Sequence, residues 1–199
     1  SDFGRMGSVP SHPELIDWLA VWFRDEARGL LKSLHRLIVT SAAYRQASAP
    51  NAAASTVDPD NRLLWRMNRP RLDADTIRDA ILFASGRLDL TMGGPSVAHF
   101  TEKPGPQSTP VLNYDDFDLN SPAAGRRSIY RLVWRAIADP FLDALDFPDM
   151  GLLAPVRGFS ASPLQSLALF NNRFILHFSE HFAARVEIAG ATAEQKIQA

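Results

Sequence analysis

The chain has 199 residues, 46% of them hydrophobic and 22% charged, with 21 basic against 22 acidic side chains and a net charge of −1. That length builds a self-sufficient core, and the near-neutral balance supplies no global field for nucleic acid or an anionic membrane surface. With no cysteine, disulfides, thiolate zinc sites, a cysteine nucleophile and covalent haem c attachment are excluded within the chain.

The first residues, SDFGRMGSVPSHPE, contain neither an initiator methionine nor a hydrophobic signal core, so the start reads as a cut from a longer chain. Ser11 and Glu14 have capping-box spacing and predict a first helix, with Leu15, Ile16, Leu19, Trp22 and Phe23 on one face. A second helix is expected from about 29 to 48, with His35 flanking its apolar stripe as a core histidine bonded to a neighbour. The small polar run ASAPNAAAST reads as a loop. Asp58-Pro59 has the form of a cap followed by proline at the first helical position, which predicts a short helix ending at Pro70. Asp73 caps the next helix, whose expected inner face is Ile77, Ala80, Ile81, Ala84 and Leu88, with Asp75 and Arg78 spaced to pair on its surface.

From Asp89 to Gly125 no period is sustained, and Gly and Pro recur. This reads as a long irregular loop with a short strand within 109–118. In RRSIYRLVWR (126–135), Tyr130, Leu132 and Trp134 alternate with their neighbours, which favours a strand over a helix. A short helix is expected at 140–146. Ser162-Pro163-Leu164-Gln165 opens the last element, read as one helix or as two broken near Asn171-Asn172. The fold class is therefore mainly α: a compact multi-helix domain with a long irregular loop and a minor extended or β-hairpin part. It is organised as a single domain over 1–199, with helices in 11–88, loop in 89–125, extended plus helical structure in 126–188 and a polar tail in 189–199. No run approaches the roughly 18 apolar residues of a membrane span.

Two clusters could carry chemistry. Between Asp58 and Asp79 stand five arginines and five aspartates. The matched signs point to a structural ion-pair network of Arg62, Arg66, Arg71, Asp73, Asp75, Arg78 and Asp79. A carboxylate- or sulfate-binding arginine and a calcium loop from Asp58, Asp60 and Asn61 are the competing readings. In the second cluster, Arg126, Arg127, Tyr130 and Trp134, with Arg131 and Arg135, interleave cations and aromatics that can stack on a ligand. The competing reading is a strand whose arginines pair with Asp143, Asp146 and Asp149. His177 and His181 are spaced i,i+4, but Phe178 occupies the place of the glutamate in H-E-x-x-H. No nucleophile elbow or phosphate loop is present. No catalytic residue, metal ligand or cofactor site is assigned in this chain.

The order of segments GRMGSVPSHPELIDWLA, LHRLIVTSAAYRQAS, DPDNRLLWRMNRPRLDADTIRDAILFASGRLD, GGPSV, RRSIY, DFPD and SPLQSLALFNN, over residues 4–188, resembles planctomycete-specific domain one. This is a domain of unknown function at the C-terminal end of large exported, cytochrome c domain-containing proteins. The resemblance implies an exported location, haem c on an upstream domain, those upstream domains as partners, and by analogy a link to polysaccharide. Near 151–162 the family carries a cysteine and a more basic run, whereas GLLAPVRGFSAS keeps only Arg157 and the capping serine. The expected function is a non-catalytic structural or binding domain. The alternative is part of a composite enzyme, hydrolase or oxidoreductase, nucleated by His35, Tyr44 and Asp79 and completed by upstream domains.

Overall fold

The structure, a computed structural model, describes residues 7, 9–134, 137–150 and 157–198. It is mainly α-helical with one small hairpin, and it divides into two units, Ser1–Arg71 and Leu72–Ala199.

In the first unit, α1 (Pro13–Asp25) starts with proline at its first position. His12 is the residue before it, and Ser11 spends its hydroxyl on His12 Nδ1 (2.9 Å) instead of capping the helix. Leu19, Trp22 and Phe23 are half-buried, while Leu15 and Ile16 stay exposed. The second helix is shorter than expected. α2 (Leu31–Thr40) stops where Ser41 turns extended, and Ser41 Oγ accepts the Tyr44 N–H (3.2 Å) to start α3 (Ala42–Arg45). A serine side chain competing for backbone bonds ends one helix and caps the next. His35 lies exposed on α2, not in a core.

Two further expectations exchange places. The segment read as loop holds α4 (Ala52–Val57), because Asn51 Oδ1 accepts the Ala54 N–H (3.1 Å) as a cap. The segment read as the next helix is instead a knot of turns. Asp58 does accept the N–H groups of Arg62 (3.0 Å) and Leu63 (2.8 Å). However, Asn61 and Leu64 take left-handed backbone angles (φ 54° and 55°), which no helix continues through. Asn61 then ties Arg66 on both sides, and the Trp65 indole donates to Asp58 O (2.8 Å). Replacing Asp58 with alanine should loosen this knot by about 1–2 kcal/mol. Amide exchange at Arg62 and Leu63 is the readout, and unchanged protection there would contradict the assignment.

The second unit is built on α5 (Ala74–Ala84), which packs against α6 (Pro140–Ala144) and α8 (Arg173–Ala189), with α7 (Pro163–Asn171) against α6 and α8 and α9 (Ala193–Gln198) at the end. The last element is two helices: Asn172 ends α7 and its side chain caps α8 by accepting the Phe174 N–H (2.8 Å). The innermost line of α5 is Ala74, Arg78 and Leu82; of the face expected, Ile77, Ile81 and Leu88 pack half-buried against the core, whereas Ala80 and Ala84 are exposed. Leu142 and Phe141 close over Ala74, and Phe178 and Ala124 close over Leu82. Within the long loop, β1 (Thr101–Lys103) pairs antiparallel with β2 (Val111–Asn113), Glu102 opposite Leu112.

The strand expected at 126–135 is absent over its described part; Arg135 lies outside the described residues. Ser128–Tyr130 forms a 3₁₀ turn, and strand-like pairing of the segment among the described residues is limited to two isolated bridges, Asp89 to Arg126 and Val97 to Arg131. Ser128 is the cause: Asp79 Oδ1 accepts both its N–H and its hydroxyl (2.7 Å each), which draws the chain out of extended register. Just before Ser128, Gly125 lets the chain pass close to the backbone after α5, where a Cβ would stand 2.4 Å from Arg87 O and where Gly125 O accepts the Asp89 N–H (2.8 Å).

Candidate ligand cavity in the second unit

Arg78 is only 2% exposed and its guanidinium is shared among three acceptors: Ala124 O (2.8 Å), Arg126 O (2.9 Å) and Ser128 Oγ (3.3 Å). Its ring contact is Phe174, 5.1 Å away. Burial, with Arg131 nearby, pushes its pKa down to about 9, so it remains a cation at neutral pH. Asp79 lies 3.6 Å from it and 3.6 Å from Arg127 Nε. Arg78 thereby fixes the chain at 124–128, and the residues just beyond, led by Arg131, turn towards the start of α6.

Arg131 meets Asp139 in a buried pair, 7% and 5% exposed. Asp139 serves twice. Oδ2 takes Arg131 Nη2, and Oδ1 caps α6 by accepting the N–H groups of Phe141 (3.0 Å) and Leu142 (3.1 Å). A guanidinium carries five N–H donors, and Arg131 commits only Nη2 to a protein acceptor among the described residues; its buried Nε has none.

His99, 7% exposed, stands edge-on to Phe117 with centroids 4.8 Å apart. Its Nε2 is 3.1 Å from Ala123 O, and because a carbonyl can only accept, Nε2 carries the proton. Nδ1 then presents a lone pair, buried and without a partner. Burial first, and then Arg131 and Arg78, push its pKa down to about 3, so the ring is neutral. Tyr114 is held protonated by burial and by Asp139, its pKa raised to about 12.

These groups line one cavity of about 340 Å³ between the hairpin loop, the start of α6 and the start of α8. Phe117, Phe141 and Phe174 form apolar wall; Arg78, Arg131, His99 and Tyr114 form polar wall. Arg173 sits at the rim and donates to Asp115 O (2.7 Å) and Phe117 O (2.9 Å), tying the hairpin loop to α8. A volume at the low end of the roughly 300–1,000 Å³ range of ligand pockets suits a small molecule.

Of the residues singled out from sequence, Arg78 and Arg131 line this cavity, and the others lie apart from it. Arg126 stacks on Tyr130 at 4.0 Å and donates to Thr91 O (2.9 Å) and Gly93 O (2.5 Å), while the Tyr130 hydroxyl accepts the Gly93 N–H (2.6 Å). These two clamp the 91–93 loop. Arg127 faces Asp79, and Trp134, 36% exposed, borders a separate cleft with Phe147 and Met150. Of the Asp58–Asp79 cluster, Arg62 and Arg71 are exposed and Arg66 lies over Trp65 (5.2 Å). Asp75 and Asp73 meet Arg157, at 2.5 and 3.4 Å. Arg78 points inward and not towards Asp75. Asp79, expected beside His35 and Tyr44 in the enzyme alternative, gives its carboxylate to Ser128, Arg78 and Arg127. The rings of His177 and His181 stand 5.0 Å apart, and no group of three acidic or histidine ligands occurs among the described residues.

Sequence reasoning missed His99, Tyr114 and Asp139. The first two lie in the loop without period. Asp139 did carry a signal, since Asp139-Pro140 repeats the cap-then-proline form recognised at Asp58-Pro59.

The family model described as PSD1, protein of unknown function (DUF1553), matches residues 1–199. No curated protein matches the chain, and no solved structure does.

Proposed function

The chain belongs to the PSD1 family of proteins of unknown function, and from that premise we propose that it is a non-catalytic binding domain whose second unit holds a small organic ligand in the cavity of Arg131 and His99. One observation carries the reading. The cavity joins the apolar wall of Phe117, Phe141 and Phe174 to a buried polar one, in which Arg131 gives only Nη2 to a protein acceptor and His99 carries an unpaired Nδ1 just beneath the surface. Buried polar atoms are normally paired, because leaving one bare costs about 1–3 kcal/mol. A wall built this way favours an occupant that brings hydrogen-bonding groups of its own. The proposal includes the setting that the family resemblance implies: a larger exported protein with haem c upstream, in which this domain binds upstream domains or polysaccharide.

The test is a ligand-observed NMR screen of the folded chain against small organic fragments and short oligosaccharides, with backbone amide shifts of Tyr114 and Phe117 as the locator. Binders should move those amides. They should lose at least tenfold in affinity in Arg131→Met/Asp139→Asn, which removes the charged pair while keeping an α6 cap. In Arg126→Gln/Arg127→Gln binding should survive. Loss in the second variant and survival in the first would place the ligand on the arginine–aromatic segment instead, and the cavity reading would fall.

A further inference from the structure

The chemistry of the wall narrows the occupant. Resting on the binding reading above, we infer that the cavity takes a small monocarboxylic acid with an aromatic or branched apolar body, its carboxylate towards Arg131 and Tyr114 and its body against the phenylalanines.

Charge is the first argument. The lining holds three guanidinium groups (Arg78, Arg131 and Arg173) against two carboxylates (Asp115 and Asp139), and His99 adds no charge at neutral pH. The excess is one cation, which one monoanion balances and a dianion overshoots. Asp79 does not remove the excess from the cavity side, because its carboxylate lies on Ser128 and is shared with Arg127.

The donor balance points the same way. Asp139 is consumed by Arg131 and by two α6 amides, so it offers the cavity little acceptor capacity. Donors remain in surplus. Arg131 gives only Nη2 to a protein acceptor, and Tyr114, held protonated, lines the cavity with a hydroxyl able to donate. A carboxylate, with two oxygens in one plane, is the organic group whose geometry matches an arginine fork.

The apolar half excludes a bare inorganic anion. Phosphate or sulfate occupies only a few times the roughly 30 Å³ of a water molecule, a small part of the 340 Å³ present. It would leave Phe117, Phe141 and Phe174 facing water. An aromatic or branched body covers them, and ring edges are favourable partners for such a body.

The experiment uses the full chain with three probes: 3-phenylpropionate, its neutral isostere 3-phenylpropanamide, and inorganic phosphate, followed by amide shifts and calorimetry at pH 7. The acid should bind saturably at Tyr114 and Phe117, at least tenfold tighter than the amide, with phosphate alone producing no saturable shift there. Tyr114→Phe should weaken the acid about three- to tenfold and leave the amide unchanged. In Arg131→Met/Asp139→Asn the acid's advantage over the amide should collapse to near one while the amide still binds. Equal binding of acid and amide to the wild-type chain overturns the carboxylate assignment yet leaves the binding reading standing. Saturable phosphate binding that displaces the acid overturns the apolar-body assignment. If no organic probe of either charge moves the cavity amides, both readings fall together.

Discussion

Arg78→Met should destabilise the second unit by about 3–5 kcal/mol, the range for removing one partner of a buried, hydrogen-bonded charge. The side chain is 2% exposed, so no solvent replaces what it supplies. Methionine fills much of the stem volume, which keeps the cavity penalty small. What is lost is polar: the Ala124 and Arg126 carbonyls and the Ser128 hydroxyl lose a shared donor at once. Asp79 also loses a cation 3.6 Å away. Arg78→Lys should recover less than half of the loss, because a single ammonium cannot span two carbonyls with the planar fork that guanidinium provides. Urea unfolding followed at Trp134, the one tryptophan of Leu72–Ala199, isolates this unit from Trp18, Trp22 and Trp65 of the other. A loss below about 1 kcal/mol would mean the carbonyls find water or other donors, and the organising role of Arg78 would be wrong.

Arg78 also shows why part of the fold was legible and part was not. The existence of α5 follows from its period, although Asp73 before it turns its carboxylate to Arg157 and makes no capping bond, and the starts of α6 and α7 follow from a capping side chain followed by proline. Such signals are local, so the sequence carries them openly. The inward line Ala74–Arg78–Leu82 is not local. A hydropathy pattern assigns arginine to water, and only the carbonyls of Ala124 and Arg126, 46 and 48 residues away, reverse that assignment. The strand expected at 126–135 failed for a related reason. Alternation of Tyr130, Leu132 and Trp134 is real, but Asp79 bonding Ser128 twice outweighs the modest β preference of its neighbours. The α4 segment was lost because alanines read as neutral filler, while Asn51 alone decided the start. His99 and Tyr114 sit between Asp89 and Gly125, where glycine and proline erase any period, so nothing local distinguished them. Their significance arises when the hairpin folds against α6 and α8.

Acidification from pH 7 to pH 5 should cost the second unit about 2 kcal/mol through His99 alone. The sign follows from its depressed folded pKa, about 3 against an ordinary 6.5. Above 6.5 both folded and unfolded states are neutral at this ring, and stability is fully present. Between 6.5 and 3 the unfolded chain takes up a proton that the folded chain refuses, so stability falls as pH falls, by up to roughly 1.4 kcal/mol per pH unit. The refusal has three causes in order: burial, the charge of Arg131 and the charge of Arg78. Most carboxylates titrate near 4, so the window from pH 6.5 to 5 belongs mainly to histidine. His177 shifts in the same direction, chiefly by desolvation and by its neighbour His181, and so the wild-type slope contains both. His99→Gln separates them. Glutamine can keep a donor for Ala123 O, removes the titrating ring, and should at least halve the loss measured by urea midpoints at pH 7, 6 and 5. Superimposable pH profiles of the two proteins would show that His99 accepts its proton in the folded state, and then its Nδ1 cannot be the bare acceptor of the cavity wall.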